Sequence, residues 1–174
     1  MATDLFALRA IELVSEGLVP VCKDGSNIEF REKMQLGATM AMVAASNTLV
    51  GMAHSMDGPI SALYHIPHGQ ACGLVTPAVL KFNAGAVKDR VLTVFKTMGY
   101  IDDHEDDDNA VLKGCDRLIG LLDEVGLLIR LRDIGFEESH LDNIVRETLK
   151  SAQLGTNPRQ PTEKDVEEVL RQVI

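Results

Sequence analysis

Apolar residues at helical spacing are the feature of this sequence that most constrains its fold. The clearest example runs from Asn109 to Val125, where the spacing alternates between four and three at Val111, Cys115, Leu118 and Leu122. Gly126 follows as a helix-ending residue. Half-buried strands would instead require alternating aromatic and β-branched residues, and only 4% of this chain is aromatic. The chain is therefore predicted to be all-α.

Two further helices are predicted in the N-terminal part. The first runs from about Thr3 to Leu18, and Gly17 followed by Pro20 marks its end. The second begins at Ser26-Asn27-Ile28-Glu29, where Ser26 and Glu29 have the spacing of a capping box. It continues through the stretch GATMAMVAASNTLVG, whose small side chains allow neighbouring backbones to approach closely. We therefore expect a buried central helix here and not a surface helix.

Glycine and proline divide the middle of the chain. Asp57-Gly58-Pro59 and Pro67 predict a loop with a short helix over residues 57–67. Helices are then expected from Gly69 to Lys81, ending near Phe82-Asn83, and from Ala84 to Met98. The acidic run over 102–108 lacks the alternating ligands and central glycine of an EF-hand, so it is predicted to be a solvated loop. His104 in that loop is assigned no role.

The C-terminal part completes the predicted fold. An amphipathic helix is expected from Glu137 to Gln153, with His140 on its surface, and a last helix is capped by Thr162 with Asp165 at the capping-box position. The total is seven or eight helices. No internal repeat or low-complexity linker divides the 174 residues. Residues 1–174 are therefore predicted to form one all-α domain, a helical bundle.

Charge and cysteine content narrow the possible functions. The net charge of −9 and the pI near 5.0 disfavour a nucleic-acid or anionic-membrane partner. The N-terminal residues lack the basic region of a signal peptide. Three widely spaced cysteines argue against a disulfide framework and fit a reducing, cytoplasmic location. Cys72 lies near a histidine and could be catalytic, but a buried hydrophobic role is favoured for Cys22, Cys72 and Cys115.

Three of the five histidines fall in the segment GMAHSMDGPISALYHIPHG, at positions 54, 65 and 68. Neutral imidazole is a common ligand for divalent transition metals. His54 is expected at the end of the small-residue helix and His68 at the start of the next helix, so a tight loop could bring them together. Pro67 disfavours a shared face for His65 and His68. Spacing alone leaves open whether these histidines are metal ligands or hydrogen-bonded core and surface residues.

This segment resembles the signature of the iron-containing (group III) alcohol dehydrogenases, of the dehydroquinate synthase-like superfamily. The resemblance rests on Ser46-Asn47, Gly51-x-x-His54 and Tyr64-His65-x-Pro67-His68-Gly69. The stretches TDLFALRAIELV, VTPAVLKFN and GTNPRQPTEKDVEEVL also look like the corresponding family segments. The similarity therefore covers nearly the whole chain, in order, and it is a similarity to the C-terminal helical domain alone.

The resemblance implies a reaction and two cofactors. Family members bind NAD(P) on an N-terminal Rossmann-like domain and hold a metal, Fe(II) or Zn(II), in the cleft between domains with one aspartate and three histidines. By position, His54 and His68 match two of these histidine ligands. The family reaction is hydride transfer from an alcohol to the nicotinamide, which yields an aldehyde, with the metal as a Lewis acid. The implied partner is a small alcohol or aldehyde.

The sequence also departs from the family pattern. The other two ligands form an Asp-x-x-x-His pair, which occurs nowhere in the 174 residues, and no Gly-x-Gly-x-x-Gly loop is present. An incomplete metal site and an absent nucleotide-binding domain are therefore expected. Gly58 stands where many relatives have a histidine near the nicotinamide, and Ala45 replaces a bulky aromatic, which predicts a roomier substrate pocket. His65 occurs in a subset of relatives and is not assigned as a ligand.

The isolated chain is accordingly expected to be inactive as a dehydrogenase. It is also expected to expose the face that meets the nucleotide-binding domain, which favours a homo-oligomer or a separate N-terminal half as partner. One alternative is a non-catalytic helical oligomerisation or scaffold domain derived from the family. Another is the glycerol dehydrogenase and dehydroquinate synthase branch, although the segment 65–69 and the turn at 157–159 favour the alcohol dehydrogenase branch. The alcohol, the native metal and the choice of NAD or NADP stay open.

Overall fold

A computed structural model describes residues 2–174, and within this range it contains seven α-helices, three short 3₁₀ helices and no strand. The α-helices are α1 (Ala2–Lys23), α2 (Ile28–Thr48), α3 (Met52–Tyr64), α4 (His68–Thr97), α5 (Asp108–Glu124), α6 (Leu141–Lys150) and α7 (Glu163–Arg171). The 3₁₀ helices are Leu131–Ile134, Glu138–His140 and Ala152–Thr156. The predicted all-α class and number of helices are confirmed.

The chain divides into two compact units. The first contains the chain up to Leu49 together with Asp89–Val125, and the second contains Val50–Lys88 together with Gly126–Ile174. Helix α4 contributes to both units, and its backbone leaves helical geometry at Val87, where φ is −138° and ψ is 46°. Each unit therefore has its own set of packed helices.

In the first unit, α1 and α2 pack along each other through small residues. A Cβ atom added at Gly37 would lie 2.9 Å from Cγ2 of Val14, so this glycine permits the close approach. Helix α5 begins as expected, because the Asp107 side chain accepts a hydrogen bond from the backbone N–H of Ala110 at 2.8 Å. It ends near Gly126, whose φ of +70° favours glycine. The predicted helix over 109–125 is therefore confirmed to within one residue.

Two boundary predictions in this unit are wrong. Helix α1 continues past Pro20 to Lys23, and the backbone N–H of Asp24 still donates to the Pro20 carbonyl at 2.9 Å. Proline removes only its own donor, so packing of the helix can outweigh that loss. The cap of α2 is Asn27, whose side chain accepts from Phe30, and not Ser26, whose hydroxyl donates to Asp24.

The predicted burial of α2 is also wrong. Only Gly37 and Ala44 of this helix are buried, whereas Met42 is 64% exposed and Val43 is 40% exposed. Small residues along a helix allow close packing on one side, but they do not require that every side be covered. Here one face contacts α1 and the remainder faces outward.

The second unit is built around a continuous apolar core. Helices α3, α6 and α7 and the first part of α4 contribute its fully buried members, among them Met52, Met56, Ile60, Val75, Ile144, Val166 and Leu170. Helix α7 begins with the predicted capping box, in which Thr162 and Asp165 exchange hydrogen bonds with each other's backbone N–H.

Several predicted breaks in this unit are wrong. Residues 57–64 are helical, because Asp57-Gly58-Pro59 lies inside α3, and only residues 65–67 form a loop. Met56 and Ile60 are fully buried on either side of this turn-like sequence, and that burial holds the helix together. The predicted boundary near Phe82-Asn83 is absent, since α4 continues to its break at Val87. Of the helix expected over 137–153, only the central part is α-helical and forms α6. A 3₁₀ helix lies on each side of it.

The three cysteines differ in exposure. Cys115 is buried as predicted, Cys72 is only partly buried, and Cys22 is exposed, so the buried role predicted for Cys22 is wrong.

No single helix within residues 2–174 has both the length and the apolar character that crossing a membrane requires. Helices α2 and α3 reach that combination only when they are counted together as a bent pair.

Candidate metal centre

The structure brings His54 and His68 side by side in the second unit. His54 lies in the first turn of α3, and His68 is the first residue of α4. Their ring centroids are 5.2 Å apart and the rings are inclined by 56°. Sequence reasoning expected these two rings to meet through successive helix ends. The position of His54 differs from the prediction, because His54 lies in the first turn of α3 and not at the end of the preceding helix.

A buried carboxylate orients His68. The Asp57 side chain is only 11% exposed, and its Oδ2 atom lies 2.6 Å from Nδ1 of His68. Its other oxygen accepts a hydrogen bond from the Ser61 hydroxyl at 2.7 Å. An ionised carboxylate only accepts hydrogen bonds, so Nδ1 is the nitrogen that donates to Asp57, and in the neutral ring Nε2 is then the nitrogen with the lone pair. Metal-binding histidines in proteins are commonly fixed in this way.

Cys72 completes a group of three possible ligands. It lies one helical turn after His68 on α4, and its Sγ atom is 3.8 Å from Nε2 of His68. The ligand atoms of His54, His68 and Cys72 all lie within 4.8 Å of one another. Two imidazoles and a thiol are donors that suit a divalent transition metal, so the residues present fit such an ion.

Burial shifts the protonation of two members of this group. It lowers the pKa of His54, and the neighbouring His68 lowers it further, whereas Asp57 acts in the opposite direction. His54 is thereby favoured as neutral imidazole, the form that binds metals. Burial also raises the pKa of Cys72 to about 12, with an additional contribution from Asp57, so its free thiol keeps the proton at neutral pH.

The other three histidines lie outside this group. His65 is exposed and ends α3 in the left-handed conformation, with φ of 53°. His104 is exposed in the acidic segment between α4 and α5. His140 is partly buried, and its Nδ1 atom lies 3.0 Å from the Tyr64 hydroxyl, so it is more than the plain surface histidine that the sequence predicted.

Asn157 fixes the start of the helix that carries His54. Its Oδ1 atom accepts hydrogen bonds from the backbone N–H of Met52 at 3.1 Å and from Nδ2 of Asn83 at 3.3 Å. Its own Nδ2 donates to Asn83 at 2.7 Å and to the Arg159 carbonyl at 2.6 Å. Gly51 leaves room for this contact, because a Cβ there would lie 2.7 Å from Oδ1. This buried amide therefore ties the turn at 157–159 to α3 and α4.

We expect Asn157→Ala to lower the free energy of unfolding by about 1–3 kcal/mol, because it leaves the buried Met52 N–H and Asn83 amide without their partner. Urea unfolding followed by circular dichroism measures this change. The matched control is Asn47→Ala, at an exposed position on α2, which should change stability by no more than about 0.5 kcal/mol. Equal stability of the two variants would contradict the anchoring role.

Sequence reasoning did not place three residues in this centre, although it considered one of them, Cys72, as a possible catalytic residue. Asp57 was interpreted as part of a turn, and its helical position was not foreseen. Cys72 had a usable signal, since residues four apart share a helix face, and His68 and Cys72 have that spacing. Asn157 had no local signal, because its partner Met52 is 105 positions away in the sequence.

Comparison with known proteins gives a consistent result. Residues 1–174 match the profile of the Fe-containing alcohol dehydrogenase family, C-terminal. The 1,3-propanediol dehydrogenase of Citrobacter freundii is 29% identical over 170 residues, which cover 98% of this chain and 44% of that enzyme. Lactaldehyde reductase of Escherichia coli K12 is 28% identical over 170 residues, covering 96% of this chain and 43% of that enzyme.

The fold comparison agrees. The crystal structure of a 1,3-propanediol oxidoreductase superimposes with a TM-score of 0.94 at 28% identity, covering 99% of this chain and 45% of that chain. The chain thus spans less than half the length of the proteins that it matches.

Proposed function

This chain belongs to the Fe-containing alcohol dehydrogenase family, as its C-terminal part, and from that premise we propose that it is the metal-binding and substrate-facing half of a metal-dependent, NAD(P)-dependent alcohol dehydrogenase. His54 and His68 are proposed as two of the metal ligands. The preference for the alcohol dehydrogenase branch over the glycerol dehydrogenase and dehydroquinate synthase branch agrees with this membership. The proposed substrate class is a small alcohol or the corresponding aldehyde.

One observation carries the proposal, namely the 5.2 Å separation of the His54 and His68 ring centroids with Asp57 bonded to Nδ1 of His68. Two histidines that met by chance would not be expected to have a buried carboxylate orienting one of them. With Asp57 on Nδ1, Nε2 of His68 is the nitrogen that can bind a metal through its lone pair in the neutral ring. The lowered pKa of His54 favours the neutral ring there.

The residues of this chain have defined tasks in the proposed reaction. His54 and His68 would hold a divalent Fe or Zn ion as neutral imidazoles, and Asp57 would keep the proton of His68 on Nδ1. The chemistry supplied by such an ion would be Lewis-acid polarisation of the oxygen of an alcohol or aldehyde. Hydride transfer also requires NAD(P), and the proposed site for it lies on an N-terminal half of the family type.

The proposed partner of this chain is that nucleotide-binding half, or a second copy of the chain. In the first unit, α1 and α2 expose several large apolar side chains, namely Leu5, Phe6, Ile28, Leu36, Met42 and Val43. Exposed apolar patches commonly mark surfaces that contact other proteins.

A cytoplasmic location is proposed from the composition and the absence of paired cysteines in the sequence.

We expect the 174-residue chain alone to show no alcohol oxidation above background. The test incubates the purified chain with Fe(II) or Zn(II), NAD or NADP, and 1,3-propanediol, and follows the nicotinamide absorbance. The same assay is repeated with the chain fused to the N-terminal part of the Citrobacter enzyme that precedes the matching region. Activity should arise in the fusion, because that part is expected to supply the nucleotide site and the remaining ligands.

The controls separate the proposal from its alternative. In the fusion, His54→Ala should abolish activity, whereas His104→Ala, at an exposed histidine of the acidic segment, should leave it unchanged. Turnover by the isolated chain would contradict the incomplete-site proposal. A folded fusion that has no activity with any metal would favour a non-catalytic scaffold domain instead.

A further inference from the structure

We infer that Cys72 is a third protein ligand, so that this domain contributes three ligands, His54, His68 and Cys72, to the metal site. The inference rests on the proposed metal role of His54 and His68, and it adds a ligand that the family signature does not include. It also assigns a metal preference, since a thiolate with two imidazoles suits Zn²⁺ or Co²⁺ better than Fe²⁺.

The spacing of the donor atoms supports this assignment. Typical Zn–S and Zn–N bonds of about 2.3 and 2.0–2.1 Å in a tetrahedral site place sulfur and nitrogen about 3.5 Å apart. The observed distance between Sγ of Cys72 and Nε2 of His68 is 3.8 Å. His54 also offers a ring nitrogen, and one donor atom from each of the three residues lies within 4.8 Å of the other two, so the side chains need to move closer by about 1 Å to share an ion.

The placement of His68 and Cys72 on one helix also supports the assignment. Asp57 lies on Nδ1 of His68, which leaves Nε2 as the donor of the neutral ring, and the Cys72 sulfur lies 3.8 Å from Nε2 and 3.9 Å from Nδ1. His68 and Cys72 sit four residues apart on α4, which holds both side chains on one face of a single rigid element. Three protein ligands with an open fourth position are the arrangement found in catalytic zinc sites.

Binding through Cys72 has a simple chemical balance. The thiol S–H bond breaks as the sulfur–metal bond forms, and the proton leaves to solvent or buffer. The sulfur changes neither its oxidation state nor its other bonds. No additional reactant is needed.

Anaerobic titration of the full 174-residue chain with Co²⁺, followed by absorption spectroscopy, tests this assignment. The expected spectrum of the unmodified chain has a near-ultraviolet sulfur-to-cobalt charge-transfer band together with the visible bands of a tetrahedral ion. In Cys72→Ala the charge-transfer band should disappear, and the affinity should fall by at least about 100-fold, because even the loss of a group that only orients a ligand costs about 10- to 100-fold. Cys22→Ala, at the exposed cysteine, should retain both the band and the affinity. Far-ultraviolet circular dichroism verifies that each variant is folded.

The outcomes distinguish this inference from the proposed function. If Co²⁺ binds without a charge-transfer band, or if the band survives in folded Cys72→Ala, the role of Cys72 is overturned. In that case, loss of the visible bands in His54→Ala and His68→Ala would leave the proposed function standing. If folded His54→Ala and His68→Ala both bind Co²⁺ as well as the unmodified chain, the histidine site and the Cys72 inference fail together.

Discussion

Replacing His68 with alanine is expected to reduce the Zn²⁺ affinity of the domain by at least about 100-fold. This change removes a proposed ligand itself, and even the loss of a group that orients a ligand costs about 10- to 100-fold. His54→Ala should have an effect of similar size. Because the His68 side chain is 62% exposed, its removal should leave the fold intact, and any loss of affinity reports on the metal site.

Isothermal titration calorimetry in a buffer that does not bind zinc measures these affinities. Asp57→Asn provides a graded comparison, since it keeps the size of the side chain but weakens the hydrogen bond to Nδ1 of His68. A loss between about 10- and 100-fold is expected for it. His104→Ala should bind like the unmodified chain, because His104 lies in the acidic segment outside the centre. Equal affinity of His68→Ala and His104→Ala would contradict the site.

Replacing Gly114 with alanine is expected to destabilise the first unit by about 3 kcal/mol, at the upper end of typical overpacking effects. A Cβ at Gly114 would lie 2.2 Å from Cδ2 and 2.3 Å from Cγ of Phe95, a ring that is fully buried. The ring has little freedom to withdraw, since Cγ is close to its own backbone. The clash outweighs the gain of about 1 kcal/mol that alanine normally brings to a helix interior.

A glycine on the same helix supplies the control. Apart from the adjacent residues and backbone of its own helix, no atom lies within 4 Å of the Cβ position at Gly120, which is exposed on α5, so Gly120→Ala should stabilise the protein by up to about 1 kcal/mol. Adding Phe95→Leu to Gly114→Ala should recover part of the lost stability by making space. Chemical unfolding followed by circular dichroism measures all three variants. A Gly114→Ala protein as stable as Gly120→Ala would contradict the packing of α5 against Phe95.

The parts of the fold that sequence reasoning predicted well are those with local signals. Helix α5 combines a long apolar repeat with Gly126 at its end, and α7 combines Thr162 and Asp165 in a capping box. Such features depend on residues within a few positions of one another. The position of His68 at the start of α4 was predicted for the same reason, since Pro67 marks the preceding break.

The incorrect predictions share a different cause. Asp57-Gly58-Pro59 has the composition of a turn, but the burial of Met56 and Ile60 keeps it helical, and Pro20 lies inside α1 in a comparable way. Tertiary packing overrides local preference in these segments. The exposure of α2 could not be read from its small residues, because these are compatible with contacts on one face or on several.

The candidate site was only partly accessible from sequence. His54 and His68 followed from the resemblance to the alcohol dehydrogenase signature, whereas Asp57 required the knowledge that α3 is helical through its position. Cys72 lies within the helix that was predicted from Gly69 to Lys81, but its spacing from His68 was not used. Asn157 required the fold itself, since its contact with Met52 joins distant parts of the chain. The family pattern thus suggested the two histidines, and the structure added the side chains that contact them.

The most direct test of the metal centre is the long-range ¹H–¹⁵N NMR spectrum of the five histidine rings, recorded before and after one equivalent of Zn²⁺ is added. We expect the ring nitrogens of His54 and His68 to shift, with those of His65, His104 and His140 unchanged. A shift at His65 or His104, with His54 and His68 unaffected, would contradict the account.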